Sequence, residues 1–344
     1  MANRSLTKDV SDNVIAGAVI ANFYMNKRDR FIENHADHDK VTFKGSNEIP
    51  LKIGDKWYFC DTDVNISTAT DMDTGTVANG EDYNVYACDD SGTLAFKISL
   101  NNTFPSGFTT DTSRKIGGFH TLCTNVGTIA GHPLTDYAAN DILPASIWDL
   151  KHRPISEPAG MVFDEGSNIW VDIYLASGTG ASCASANGAT ITDTRNWMDF
   201  IDDGHAVKKQ LLTDDQFQSI AMGSNEETNI AGSADPVTTG GHSDTAGRRM
   251  ISNIGCEDCA GAMYQWLLTS AARLDDETAG GWYDLTGDKG SFYTYGTNKY
   301  GNTQLRAGGT WADGAACGSR CRFAVHYRWF TYSSIAVRLG SAPQ

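Results

Sequence analysis

The stretch that decides the reading runs from Gln304 to Gln344: QLRAGGTWADGAACGSRCRFAVHYRWFTYSSIAVRLGSAPQ. Small residues recur at Gly308, Gly309, Gly314, Gly318 and Ser319, and between them stand Trp311, Arg320, Arg322, Tyr327, Arg328, Trp329 and Arg338. The other positions, Thr310, Ala312, Asp313, Ala316, Phe323, Val325, His326, Phe330 and Tyr332, follow no period. A helix would repeat its apolar residues about every 3.6 positions and a strand every second one; neither pattern lasts here. The segment therefore predicts short strands joined by ordered loops. Glycines supply the turns, and arginine and tryptophan tie the loops down.

Taken in order, GGTW, CGSRCR, YRW and SSIAVRLG resemble the C-terminal end of C-type-lectin-fold domains of the formylglycine-generating-enzyme type. More narrowly, they resemble the variable proteins of diversity-generating retroelements, a family that includes phage tropism determinants. The resemblance implies a framework that holds the fold: Gly308, Gly309, Trp311, Arg320, Arg322, Tyr327, Trp329 and Arg338. It also implies interspersed positions that vary to make new binding surfaces: Thr310, Ala312, Asp313, Ala316, Phe323, Val325, His326, Phe330, Tyr332 and Ser334. Variation in the family arises at adenines of template codons, chiefly asparagine codons, which cannot become Lys, Glu, Gln, Met or Trp. None of those five stands at the variable positions or at Ala336, and no asparagine follows Asn302.

The same resemblance extends upstream in order. It takes in Asp141–Pro154 (DILPASIWDLKHRP), the segment from Leu211 to Glu227, and Met250–Leu267, where GAMYQW replaces the family's own consensus. The expected fold is an α+β C-terminal C-type lectin fold, formylglycine-generating-enzyme-like, preceded by a mostly β N-terminal region. The expected domains are a leader for oligomerisation or anchoring over residues 1–50 and a small all-β domain over 51–135. A ligand-binding lectin-fold domain follows over 136–344, with its variable region at about 290–340.

The local signals agree with this order. Lys56–Cys60, Tyr83–Cys88 and Thr93–Leu100 are aromatic and β-branched with partial alternation, polar turn runs separate them, and Ile116–Leu122 closes the region. Asn168–Leu175 alternates and predicts a central strand. Trp197, Phe200 and Ile201 make one helical face, capped by Asp193 or Thr194. Thr213 and Gln216 form a capping box before Phe217, Ile220 and Ala221, with Gly223 as a stop. Asp9–Met25 is small and apolar, suited to an oligomer axis or to packing on its own domain.

Composition narrows the function. The formal charge of −15 argues against a nucleic-acid or anionic-membrane surface and suits neutral or basic targets. Val14–Met25 is too short to span a bilayer and has no convincing cleavage site, so no signal peptide and no membrane insertion are expected. Synthesis in a reducing cytoplasm then makes the eight cysteines thiols or metal ligands rather than a disulfide framework.

Three chemistries compete with simple binding. Cys317 and Cys321 suggest the cysteine pair of a copper-dependent, formylglycine-generating-type oxidase, but they stand closer together than that enzyme's pattern sets its pair. Cys256 and Cys259, joined by Cys317 and Cys321, are a candidate structural zinc site, with separate buried thiols as the alternative. Calcium-dependent sugar binding lacks its signature triplets; Glu157-Pro158-Ala159 is the nearest approach. The histidines form no short ligand pair. The expectation is therefore a non-enzymatic binding protein requiring no cofactor, with a host cell-surface protein or glycan as target and phage tail or baseplate proteins as partners. It would be a homo-oligomer, a trimer being one candidate, placed on the virion tail; a cellular surface adhesin of the same fold is the alternative.

Overall fold

The computed structural model describes residues 4–6, 30–47, 49–272, 281–283, 290–294 and 302–344. The apolar run Asp9–Met25 lies outside the described residues, as do positions 295–301 of the expected variable region. The chain forms two compact units. The first holds Met1–Leu122, Ala139–Arg153 and Gln344; the second holds Cys123–Ala138 and Pro154–Pro343.

The first unit contains β1 (Arg4–Leu6), β2 (Ile32–Asn34), β3 (Lys40–Phe43), β4 (Pro50–Ile53), β5 (Lys56–Phe59), β6 (Val64–Ser67), β7 (Asp82–Asp90), β8 (Thr93–Ser99), β9 (Ser113–His120) and β10 (Trp148–Asp149). They form three antiparallel sheets, ordered β1-β5-β4, β2-β3-β6 and β10-β9-β7-β8. Strands β5, β7, β8 and β9 fall where aromatic and β-branched residues predict them. β7 and β8 are joined through Ser91 and Gly92, both at positive φ, the geometry that matches the twist of a tight hairpin. Their inward faces meet a core of Phe31, Val41, Phe43, Val85, Phe96 and Ile98, with the Phe43 and Phe96 rings 4.8 Å apart.

The second unit is also mostly β. One sheet runs β11 (Met161–Asp164), β12 (Ile169–Asp172), β20 (Leu339–Ser341), β13 (Gln210–Leu211). The other runs β15 (Gly281–Tyr283), β16 (Phe292–Thr294), β18 (Gly318–Phe323), β17 (Asn302–Gly308), β14 (Tyr264–Ala272), β19 (Ile335–Ala336). The tail thus consists of short strands and ordered loops, as its sequence predicts.

Among the described residues α-helices are few: α1 (Trp197–Ala206) and α2 (Asp214–Ile220). The α2 capping box is present as read, with Thr213 accepting from the Gln216 amide and Gln216 reaching back to Thr213. The α1 cap differs: Asn196 makes it, accepting from Met198 and Asp199 at 2.8 and 3.1 Å. Thr194 sits at φ +52° and bonds Asp193, so neither expected residue reaches the helix amides. Trp197 and Phe200 are buried, and Phe200 joins Leu211, Trp266, Val337 and Leu339 in a common core.

Candidate functional site

Register across the larger sheet of the second unit sets up the site. Trp282 on β15 pairs with Tyr293 on β16, Tyr293 with Phe323 on β18, Phe323 with Arg306 on β17, and Arg306 with Trp266 on β14. Directly paired residues share a sheet face, so these five side chains form one row. The Tyr293 and Phe323 rings stack at 4.7 Å, 8° from parallel. The Arg306 guanidinium lies 4.4 Å from the Phe323 ring, 4.8 Å from Tyr264 and 5.2 Å from Trp266.

The loop after β18 folds back over this row. His326 stacks on Phe330 at 3.5 Å, and Phe330 lies 6.2 Å from Tyr332 and 5.6 Å from the Arg306 guanidinium. Arg306 Nη2 donates to His326 Nδ1 at 2.5 Å, and the His326 carbonyl accepts from the Gln304 amide at 3.1 Å. Arg306 forms no ion pair among the described residues, and its Nε finds no partner. Burial pulls its pKa from 12.5 to about 10. An aromatic cage is one of few environments that holds a buried guanidinium without a carboxylate.

The structure brings Phe323, His326, Phe330 and Tyr332 together, with the first three half-buried and Tyr332 59% exposed. Val325 is half-buried beside them in sequence. Ala312 is exposed, and Ala316 is half-buried. Thr310, expected on the variable surface, is instead buried: its amide and hydroxyl both donate to Asp313 Oδ2 at 2.8 Å, so the pair braces the loop. Ser334 is buried too, its carbonyl accepting from the Tyr264 amide at 3.0 Å.

Framework positions divide likewise. Gly308 and Gly309 hold φ of +93° and +82°; a Cβ at Gly308 would meet the Cys259 carbonyl at 2.4 Å, and one at Gly309 the Cys317 sulfur at 2.8 Å. Buried Arg322 pairs with Asp214, donates to the carbonyls of Ser319 and Cys321 and lies 5.1 Å from the Phe217 ring, fastening β18 to α2. Buried Arg338 donates to the Asp172, Ile173 and Glu257 carbonyls and to Gln265 Oε1. Trp311 is half-buried against Ala262, Met263 and Ala336. Arg320 is exposed. Tyr327 and Trp329, expected to tie the loop from within, are 54% and 67% exposed. The physical reason is local: they sit on a turn closed by Phe330 N–H to the Tyr327 carbonyl at 3.1 Å, which turns both rings outward.

The cysteines do not assemble. Among the described residues no three His, Cys, Asp or Glu side chains converge as a metal site, so Cys256, Cys259, Cys317 and Cys321 do not form the expected zinc tetrad, nor is there an oxygen cluster for calcium. Cys317 donates to the Thr310 carbonyl at 3.2 Å. Burial pushes the Cys317 and Cys321 thiols well up.

Arg306, Tyr264, Trp266, Trp282 and Tyr293 escaped sequence reading. Glu226 was also missed; it accepts from the Ser319 amide and hydroxyl at 2.9 and 2.7 Å.

Fold and site together define a class: a mostly β protein whose second unit has a C-type-lectin-like fold with an aromatic loop surface at its C-terminal end. Residues 34–149 match the family model described as Mtd second domain. The chain is 28% identical over 299 residues to the tail fiber receptor-binding protein of Bordetella phage BPP-1, covering 77% of this chain and 76% of that protein. The solved structures of the Major Tropism Determinant U1, M1 and I1 variants superpose with TM-scores of 0.71 at 24% identity, over 92% of this chain and 84% of theirs. The chain is similar in fold to these tropism determinants over most of its length. Among the described residues no helix is long and apolar enough to cross a membrane.

Proposed function

We propose that the protein is a receptor-binding protein of a phage tail fibre, recognising a host-surface target through the C-terminal surface of its lectin-like unit. The observation that carries this is the run Phe323, His326, Phe330 and Tyr332, a stack that begins over the Arg306 cage and ends in an exposed ring. Rigid aromatics give large contact area at low entropic cost, which suits them to recognition. Diversification would act on Ala312, Ala316, Phe323, Val325, His326, Phe330 and Tyr332 directly. Thr310, Asp313 and Ser334 would act by reshaping the loop beneath.

On this reading the lectin unit is of the formylglycine-generating-enzyme type without its oxidase chemistry, and recognition calls for no metal or cofactor. The N-terminal part anchors the chain to tail or baseplate proteins on the virion. A homo-oligomer, a trimer for instance, presents several weak sites together and multiplies avidity. Two measurements test the proposal. Labelled protein is screened for adsorption to a panel of bacterial strains, and the 3′ end of the gene is sequenced deeply in its source population. Adsorption to particular strains, with substitutions confined to the named positions and matched to adenines in a nearby near-copy, is the expected result. Absence of adsorption to every strain defeats the receptor reading; an invariant 3′ end with no near-copy defeats diversification.

A further inference from the structure

Between the expected variable positions His326 and Phe330 stand Tyr327, Arg328 and Trp329, which a tight turn presents to solvent. Trp329, Tyr332 and Tyr327, in that order, are the most exposed large rings of the aromatic surface. The turn that presents them is firmly held. The Arg328 carbonyl accepts from the Trp197 amide at 3.0 Å, and the Arg328 guanidinium lies 4.9 Å from the Trp197 ring. Trp197 is itself fixed by its indole N–H donating to the Leu267 carbonyl at 2.9 Å. A ring standing in water on a preorganised turn loses little entropy when a partner covers it.

Charge distinguishes this segment from the rest of the chain. The chain carries a formal −15, yet residues 314–344 contain Arg320, Arg322, Arg328 and Arg338 and neither aspartate nor glutamate. Arg322 and Arg338 are buried, whereas Arg320 and Arg328 are exposed. Arg328 pairs with no carboxylate among the described residues. Its charge is thus presented beside two exposed rings.

We propose that Tyr327, Arg328 and Trp329 form a fixed anchor within the recognition surface, and that it docks onto an acidic protein surface carrying carboxylates beside apolar side chains. This rests on the receptor-binding reading of the same unit. Tryptophan, tyrosine and arginine are the residues in which protein–protein binding energy concentrates, which favours a protein over a sugar. Sugar sites rely on converging polar side chains, and the ridge offers a single cation. The variable positions on either side then tune which acidic surface fits, while the anchor supplies affinity common to all variants.

The test uses the full chain and intact cells of a strain that it adsorbs to. Three kinds of cells are compared: untreated, trypsin-shaved, and periodate-oxidised to destroy surface sugars. Trypsin is expected to remove binding and periodate to leave it, with binding weakening as salt rises. Trp329→Ala is expected to lower affinity about tenfold or more, the scale of a hot-spot truncation. Arg328→Lys, which keeps the charge and loses the planar stack, is expected to lower it several-fold, with melting temperature and oligomeric state unchanged in both. Binding that survives trypsin and falls with periodate overturns the protein partner. Wild-type affinity in both variants overturns the anchor, and a Trp329→Ala chain that changes oligomeric state would assign the ridge to a second copy instead. If Tyr332→Ala abolishes adsorption while the ridge variants do not, the anchor fails and the receptor reading stands.

Discussion

Replacing Arg306 with methionine separates structural from recognition roles at the site. The fall of its pKa from 12.5 to about 10 on burial corresponds to about 3 kcal/mol of destabilisation of the charged form. Against this stand contacts with the rings of Tyr264, Trp266, Phe323 and Phe330 at 4.4 to 5.6 Å. Desolvated cation–π contacts are worth up to about 2 kcal/mol, and several rings sharing one cation add less than proportionally. The two terms nearly cancel. Methionine fills comparable space and keeps a favourable sulfur–aromatic contact. Arg306→Met should therefore change stability by no more than about 2 kcal/mol, whereas Arg306→Ala, which leaves a cavity among four rings, should cost about 3 kcal/mol or more. Adsorption should fall in the methionine variant, because His326 loses the donor that orients its ring. Thermal unfolding of the full chain, read beside adsorption to a binding strain, decides the matter. A melting temperature lowered by more than about 10 °C in Arg306→Met would refute the cancellation and make the cation a net stabiliser.

Tyr332→Ala should cut adsorption about tenfold with little change in melting temperature, as its ring is mostly in water; Phe330→Ala should lower both, since its ring covers the cage. Arg322→Ala should destabilise the second unit by about 3 kcal/mol in a urea titration, because it strips β18 of its tie to Asp214 and unpairs two strand carbonyls. Gly308→Ala should cost about 2 kcal/mol or more through the collision with the Cys259 carbonyl at a positive φ, seen as loss of soluble protein or a lower urea midpoint. In the first unit, burial and then the charge of Arg30 hold His152 near pKa 4 against an ordinary 6.5. Its neutral form therefore supports folding fully above about pH 6.5, and that support drains as pH falls toward 4. Asp149 nearby is shifted up by burial and opposes this trend at the acid end, so His152→Asn compared with the parent across pH 7.5 to 4.5 isolates the histidine: the variant should show the flatter profile.

Much of this was legible in the chain itself, and what was not has a physical cause. The capping box at Thr213 and Gln216 reads directly because both partners are three residues apart. The α1 cap lies two or three residues beyond the expected Thr194 or Asp193, because Asp, Thr and Asn all favour caps and the backbone angle at Thr194 decides among them. Arg322 and Arg338 were recognisable as ties; their partners Asp214 and Asp172 lie more than a hundred residues away, beyond any local pattern. Thr310 and Asp313 are expected on the surface from the resemblance alone, which carries no sign that Thr310 would donate twice to Asp313. Arg306 stayed hidden because a cage of rings from β14, β17, β18 and the following loop exists only after the strands register. Tyr327 and Trp329, which the resemblance places in the framework, stand outward because a tight turn directs their rings there.

The strand Leu339–Ser341 lies between β12 and β13, paired on both sides and fully buried. This late strand is thus an interior strand of the fold. Any frameshift or stop codon arising between the codons for Thr310 and Ser334 removes it and leaves a four-stranded sheet open at its middle. Such a product cannot close its core, so a truncating change in the loops before it would yield an unfolded chain. Position in the fold thereby acts as a reading check on the loops that precede this strand.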